Sequence, residues 1–369
     1  NALKTAEARL ILAGSNFILG RYGKAAKLLR DTSLDKIDEA AFWRAATISK
    51  SGKMIAGAYE MQRTGDLVKA YPKPLRMPLS ILIADAAVTI GQAKKAKDML
   101  KSLKKLEPNA KESAAISFLE GKLAESDGKR EAAVKKWEEV LPIRSGPSFV
   151  KASAARVNNL LRLEKMDADD AIRELEKLRF AWRGDEFEFQ LLRRLGSLYL
   201  NQKGYRKGLE TLRQAVTYFS KHKDVNAVTE EMTDAFNFLF SNDGADGLAP
   251  VTAIALFQDF QELTPAGRRG DEMIRKLADR LVAVDLLDQA SNLLHEQVLS
   301  RLEGDEKGQV GTNLAVIHAF AKEYEKMLIV LDDSEVDGLP ESLVTRRRHL
   351  RAHALGSLDR EKEALILLK

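Results

Sequence analysis

An all-α fold of about ten antiparallel helix pairs is the architecture this sequence predicts, and three observations predict it. A small residue followed four positions later by a large apolar one recurs ten times along the 369 residues, at a nearly constant step. Long runs rich in Ala, Leu, Glu, Lys and Arg carry their apolar residues at helical spacing, and only 9 prolines interrupt them. Turn signals fall between the two helices of a pair, at Gly20, Gly91, Gly128 and Lys203-Gly204. One helix pair cannot bury its apolar face alone, so pairs must stack.

The recurring markers are, in chain order, Ala25/Leu29, Gly57/Met61, Ala96/Leu100, Ala133/Trp137, Ala171/Leu175 and Gly208/Leu212. They continue as Ala253/Phe257, Ala290/Leu294, Met327/Leu331 and Ala364/Leu368. Successive small positions are separated by 32, 39, 37, 38, 37, 45, 37, 37 and 37 residues. Each marker lies in the second helix of its pair, with a first helix before the turn. Pro108 and Pro265 follow second helices, where a chain leaves helical conformation. Met327 departs from the pattern, since it stands where a small residue is expected.

The clearest unit runs from Leu191 to Ala215. Leu192, Leu195, Gly196 and Tyr199 share one face of a first helix, and Tyr205, Gly208, Leu212 and Ala215 one face of a second. Small residues at Gly196 and Gly208 allow close approach, with Tyr199, Tyr205 and Leu212 around them. That layout resembles the tetratricopeptide repeat, whose standard unit has 34 residues. The resemblance implies a right-handed superhelical solenoid and a role in binding proteins or peptides. A period near 37 leads us to expect extra residues in a helix or in the links between units.

The chain is expected to form a single repeat domain over 1–369. Its last helix runs to Leu368 with no polar capping helix after it, so further units or another domain are expected in a longer parent protein. The step of 45 places an enlarged loop at 241–249, rich in Asn, Asp and Gly. A calcium loop there is rejected, because Ala253 stands where a closing Glu is required. A second irregularity is the aromatic and basic run Arg179–Phe189, in which Phe180, Trp182, Phe187 and Phe189 are expected to pack between units.

Composition bounds the function. With 45% hydrophobic and 31% charged residues the chain can bury a large core and carry a polar surface. No apolar run approaches the ~20 residues that cross a bilayer. The absence of cysteine excludes disulfides and thiolate metal sites, and leans toward an exported protein of a bacterial periplasm or envelope. A net charge of +5 is compatible with an acidic partner without requiring one. There is no phosphate-binding glycine loop, nucleophile elbow or HExxH metal motif, so no enzyme activity and no cofactor is expected. His349 and His353 are four apart but sit among arginines that repel a cation, so no metal is expected.

Two basic clusters bear on partners. Lys94, Lys95, Lys97, Lys101, Lys104 and Lys105 form the outer face of an amphipathic helix, which reads as a solvated surface. Arg346–Arg348 with Arg351 is denser and would suit an anionic partner. The resemblance further implies that first-helix residues near the Leu-Gly position face a concave groove. Three residues before that position stand Phe118, Arg156, Arg193 and Arg275. Arginine grips carboxylates through paired hydrogen bonds, so these four are the expected contacts to a protein or acidic peptide. The family's Lys and Asn carboxylate clamp is not reproduced, since Ser197 follows Arg193 and Asp279 follows Arg275. The expected function is a non-enzymatic protein-interaction scaffold in a larger bacterial assembly. A solenoid region of a larger enzyme, such as a cell-wall lytic transglycosylase, is the first alternative. A nucleic-acid-binding helical repeat is the second.

Overall fold

A computed structural model describes residues 5–50, 54–241 and 247–368. Among the described residues there are twenty α-helices and no strand, which follow one another as ten helix–turn–helix units. The first six pairs are α1 Ala6–Ile18 with α2 Tyr22–Leu29, α3 Asp38–Lys50 with α4 Met54–Thr64, α5 Lys73–Thr89 with α6 Ala93–Lys104, α7 Ala110–Ser126 with α8 Arg130–Glu138, α9 Gly146–Arg162 with α10 Ala168–Ala181, and α11 Glu186–Asn201 with α12 Tyr205–Tyr218. The remaining four are α13 Val225–Ser241 with α14 Pro250–Asp259, α15 Arg268–Ala283 with α16 Leu287–Ser300, α17 Gly304–Phe320 with α18 Tyr324–Asp333, and α19 Glu341–Ser357 with α20 Glu361–Leu368. All ten sequence markers fall in the second helix of a pair. By packing, the chain divides into two compact units, Asn1–Leu198 and Tyr199–Lys369.

The long period has a visible origin. From α5 onward every first helix has 16 or 17 residues. Short 3₁₀ turns add residues to several links, at Thr32–Leu34, Gly65–Ala70, Leu141–Ile143 and Gln261–Leu263. The surplus of the 45-residue step lies mostly outside the described residues. Beyond it, Ala249 precedes α14 and Pro250 takes the first helical position, where its missing N–H costs nothing.

Among the described residues, eight first helices end in the same way. A residue with φ between 54° and 76° follows the helix, at Gly20, Gly91, Gly128, Glu164, Lys203, Asp285, Lys322 and Asp359. The next N–H then bonds the carbonyl five residues back, as in Arg21 to Asn16 at 2.8 Å and Gln92 to Ala87 at 2.9 Å. That bond satisfies a carbonyl the helix leaves open and reverses the chain. Only three of the eight left-handed positions are glycine. Lys203, not Gly204, takes the left-handed conformation in the turn the sequence reading placed at that pair.

The small marker residues set the spacing within a pair. Ala25, Ala96, Ala133, Ala171, Ala253 and Ala290 are fully buried. Their partners Met61, Trp137, Leu175, Leu212 and Leu331 have no exposed surface either, whereas Leu368 is 56% exposed. Where the small residue is glycine, the helices meet closer than a methyl group allows. A Cβ on Gly57 would lie 2.5 Å from the Ser49 nitrogen and 2.6 Å from the Ala45 carbonyl oxygen of α3. Gly121 of α7 faces Trp137 in the same manner, and the Trp137 indole N–H donates to the Phe118 carbonyl at 3.2 Å. Met327, the exception to the small-residue rule, is nonetheless fully buried.

Arginines join some pairs to the next. Arg44 of α3 donates to the carbonyl of Leu29, the last residue of α2, at 2.7 Å, and to Asp35 at 2.7 Å. Arg347 of α19 repeats the device eight pairs later. It donates to the carbonyl of Leu331 in α18 and to Glu335, and also to the Gly308 carbonyl, Thr312 and Ser334 at 3.1 Å each. In both cases the acceptor is the large residue of the marker, near a helix C-terminus where a cation is favoured.

Gly57→Ala is expected to destabilise Asn1–Leu198 by about 1–3 kcal/mol, because neither clashing group is a flexible side chain. All three tryptophans, Trp43, Trp137 and Trp182, lie in that unit, so indole fluorescence during urea unfolding measures the loss. Arg347→Met leaves buried acceptors without a donor and should lower the stability of Tyr199–Lys369 by about 1–3 kcal/mol. Circular dichroism should show this as an earlier transition while the tryptophan signal stays unchanged.

Candidate functional site

In Asn1–Leu198 the first helices converge on a groove with a cavity of about 390 Å³. Its apolar wall comes from α1 through Phe17 and Ile18, from α5 through Leu75, Pro78 and Leu82, and from α7 through Phe118. The α5 contributions recur at three- and four-residue spacing, so one stripe of a 17-residue helix supplies the floor. Pro78 sits inside α5.

Charged groups gather at the same place. Lys50 at the end of α3, Asp85 of α5 and Lys151 of α9 line the groove. Lys122 of α7 bonds Asp85 Oδ1 at 2.8 Å, and its ammonium stands 5.9 Å from the centre of the Phe118 ring. Solvent reaches Lys50, but protein surrounds it closely enough that desolvation pushes its ammonium below the ordinary 10.5. The charge of Lys151 pushes in the same direction, while Asp85 and Asp185 oppose it, with Lys122 adding to the depression. Lys50, Lys151 and the Lys122–Asp85 pair therefore meet at a partly apolar groove.

The four residues that the sequence singled out occupy different surroundings. Phe118 is half-buried and belongs to the groove. Arg156 is held by two carboxylates of second helices, Glu138 of α8 at 3.4 Å and Glu174 of α10 at 3.1 Å. Arg193 is half-buried in α11, where its carbonyl accepts the Ser197 hydroxyl at 3.0 Å. Arg275 is half-buried in α15 of Tyr199–Lys369, where burial pushes the Asp279 carboxyl above its ordinary value and the Arg275 charge offsets only part of that push. Sequence reasoning did not single out Lys50, Lys122 and Lys151. They lie at different positions along α3, α7 and α9, so no shared register marks them.

The dense basic cluster is split by burial. Arg347 is 4% exposed and engaged as described above, and Arg351 pairs with Asp332 and Glu335, which leaves Arg346 and Arg348 at the surface. The four arginines therefore do not form one anion-binding patch. His353 packs edge-on against Tyr324 at 5.6 Å, and His349 is exposed. Among the described residues no three His, Cys, Asp or Glu side chains cluster as metal ligands, and no helix is long and apolar enough to cross a membrane. In the aromatic run, Phe189 is fully buried and Trp182 and Phe187 half-buried, but Phe180 is 82% exposed, contrary to the expected packing.

Successive helix pairs, buried small residues in nine of the ten second helices and a groove walled by first helices define a tetratricopeptide-like helical repeat protein. No protein-family model matches the chain. No curated protein matches it. Solved structures of tetratricopeptide proteins are similar to it in fold. A thermophilic repeat protein of Thermus thermophilus is 19% identical, covers 53% of this chain and all of its own, and has a TM-score of 0.38. The repeat domain of P58(IPK) is 13% identical over 96% of this chain and 98% of its own, with a TM-score of 0.30. The solved structure of a human IFIT1 dimer with m7Gppp-AAAA, also similar, is 12% identical over 99% of this chain and 89% of its own, with a TM-score of 0.37. At these scores the likeness carries over to no site or ligand.

The depressed Lys50 ammonium makes a chemical prediction. At mildly alkaline pH Lys50 holds more neutral amine than an ordinary lysine, so trace acylation followed by mass spectrometry should find it modified early. Lys151→Met removes a repelling charge and should slow that labelling. Asp85→Asn removes a stabilising charge and should speed it.

Proposed function

We propose that this chain is a non-enzymatic protein-interaction scaffold, and that the groove of Asn1–Leu198 binds an acidic segment of a partner protein. The observation that supports this is the convergence of Lys50, Lys122 and Lys151 beside Phe118 and the α5 stripe. An extended or helical segment with apolar and acidic side chains meets both needs of the groove. Its apolar groups cover the wall, and its carboxylates relieve the repulsion among the lysines. Asp85, already paired with Lys122, and Asp185 balance part of that lysine charge, so binding exchanges one carboxylate for another with modest net gain per contact. Arg156 contributes secondarily in this reading, because two carboxylates of the chain already hold it. Arg193 is proposed as a flanking contact only, and Arg275 of Tyr199–Lys369 as a partner contact of its own unit. The larger assembly expected from the sequence is a bacterial one, with the periplasm or envelope as its proposed place.

A displayed library of 12-residue peptides, selected against the full chain, tests the reading. Selected peptides should be enriched in Asp and Glu beside Leu or Phe. Lys122→Glu with Lys151→Glu should weaken them at least tenfold, corresponding to loss of one or two charged hydrogen bonds of about 1.5–3 kcal/mol. Phe118→Ala should weaken them without abolishing the melting transition. Basic or neutral selected sequences, or undiminished binding by the folded lysine variant, would overturn it.

A further inference from the structure

A second cavity lies elsewhere in the same unit and is larger, at about 990 Å³. It runs between the second helices α4 and α6, over the outer side of α5. Its walls are Gln62 of α4 with the 3₁₀ turn Gly65–Ala70 on one side, and Lys94 to Leu106 of α6 and its end on the other. Arg76, Ser80 and Ile83 of α5 form the floor at helical spacing. From Arg76 to Gly91, just past the end of α5, the cleft extends ~22 Å at 1.5 Å per residue.

The step of 39 residues between Gly57 and Ala96 leaves its mark here. The link after α4 is a six-residue 3₁₀ turn, longer than the three-residue turns at the other links. It holds α4 and α6 apart, and the bond from Lys95 to the Gln62 carbonyl at 3.2 Å spans the gap. Val68, Ile83 and Leu103 lie deep in the cleft, with Met99 and Leu106 half-buried above them.

Charge is uneven along the rim. Arg76, Lys69, Lys94 and Lys95 line the cleft against Asp66 and Asp98. Lys69 is paired with Asp66 at 2.7 Å. Arg76 and Lys94 make no ion pair among the described residues, and the Arg76 Nε is buried without a hydrogen-bond partner. The lysines of α6, read from the sequence as a solvated face, thus border an apolar cleft on one side.

We propose that this cleft is a second docking site and that its occupant is an acidic amphipathic helix of a partner protein. The walls are helices with no free sheet edge, so an extended chain would leave its own N–H and C=O groups unsatisfied over the apolar floor. A helix satisfies them internally. About four turns fill ~22 Å. An apolar stripe at i, i+3/i+4 and i+7 meets Met99, Leu103 and Leu106, and flanking carboxylates meet Lys94 and Arg76. Depth, length and charge all match that one occupant. The inference is independent of the groove described above, which lies on the other side of α5.

The chain has no cysteine, so Ser102→Cys places one environment-sensitive dye on the cleft wall, and Ser148→Cys does the same in the groove. The probe is a synthetic 16-residue peptide with Leu along one helical stripe and Glu on both flanks. It should shift the Ser102→Cys dye saturably, and a scrambled peptide of the same composition should not. Arg76→Glu with Lys94→Glu should weaken the probe at least tenfold, and Lys122→Glu with Lys151→Glu should leave it unchanged. If the reversal variant melts early, Arg76→Gln with Lys94→Gln should still weaken binding about threefold. Undiminished binding in a folded cleft variant overturns the proposal. So does equal displacement by a single-stranded oligonucleotide or an anionic vesicle, which would make the rim a general polyanion surface. A signal from the Ser148→Cys dye alone would assign the probe to the groove and overturn the cleft.

Discussion

Close approach at the small residue of a second helix, present in all of them but α18, is the constraint on which the rest of this structure depends. Helix axes separated by a single Ala or Gly leave no room for water or for rotation, so the large residue four positions on is driven into the space beside its partner. At Gly57 the approach is so near that even a methyl group meets the backbone of α3. At Gly121 it admits the whole Trp137 indole, whose N–H then finds the Phe118 carbonyl. The repeated left-handed turn follows from the same requirement. Two helices that pack this closely must be joined by a connection that reverses the chain in one or two residues. A left-handed residue with a bond back to the preceding turn is the shortest way to do so.

Between pairs the constraint is looser, and polar groups do more of the joining. Arg44 and Arg347 each bring a guanidinium to the C-terminal end of the preceding second helix, where open carbonyls and the helix dipole favour it. Each also holds an acidic residue just beyond that end, Asp35 in one case and Glu335 in the other. Burying an arginine is costly unless every donor finds an acceptor. Arg347 meets that demand with two backbone carbonyls, two hydroxyls and a carboxylate, although its Nε stays unpartnered.

The two candidate surfaces of Asn1–Leu198 come from one helix, α5. One stripe, through Leu75, Pro78 and Leu82, faces the first-helix groove, and another, through Arg76, Ser80 and Ile83, floors the cleft beside α4 and α6. A 17-residue helix has enough turns to present both. Lysines approach each surface from neighbouring helices, and neither surface balances them fully with acids of the chain. A scaffold read in this way offers two acidic partners, or two segments of one partner, independent seats on a single unit.

Helix pairs, their number and the identity of each second helix were legible in the sequence, because the small-to-large spacing is set by backbone geometry that every pair shares. The origin of the long period was half legible: the surplus was visible, but not that it lies in 16- or 17-residue first helices and 3₁₀ links. Phe118 was found from its register. Lys50, Lys122 and Lys151 were not, since they meet only when three first helices are placed side by side. Arg346–Arg348 looked like one patch, because a sequence shows neighbours along the chain but not that Arg347 faces inward while the residues beside it face out. Local periodicity is a property of one helix and can be read from the string. Burial, ion pairing and the width of a cleft belong to the packing of several helices, and only the tertiary structure decides them.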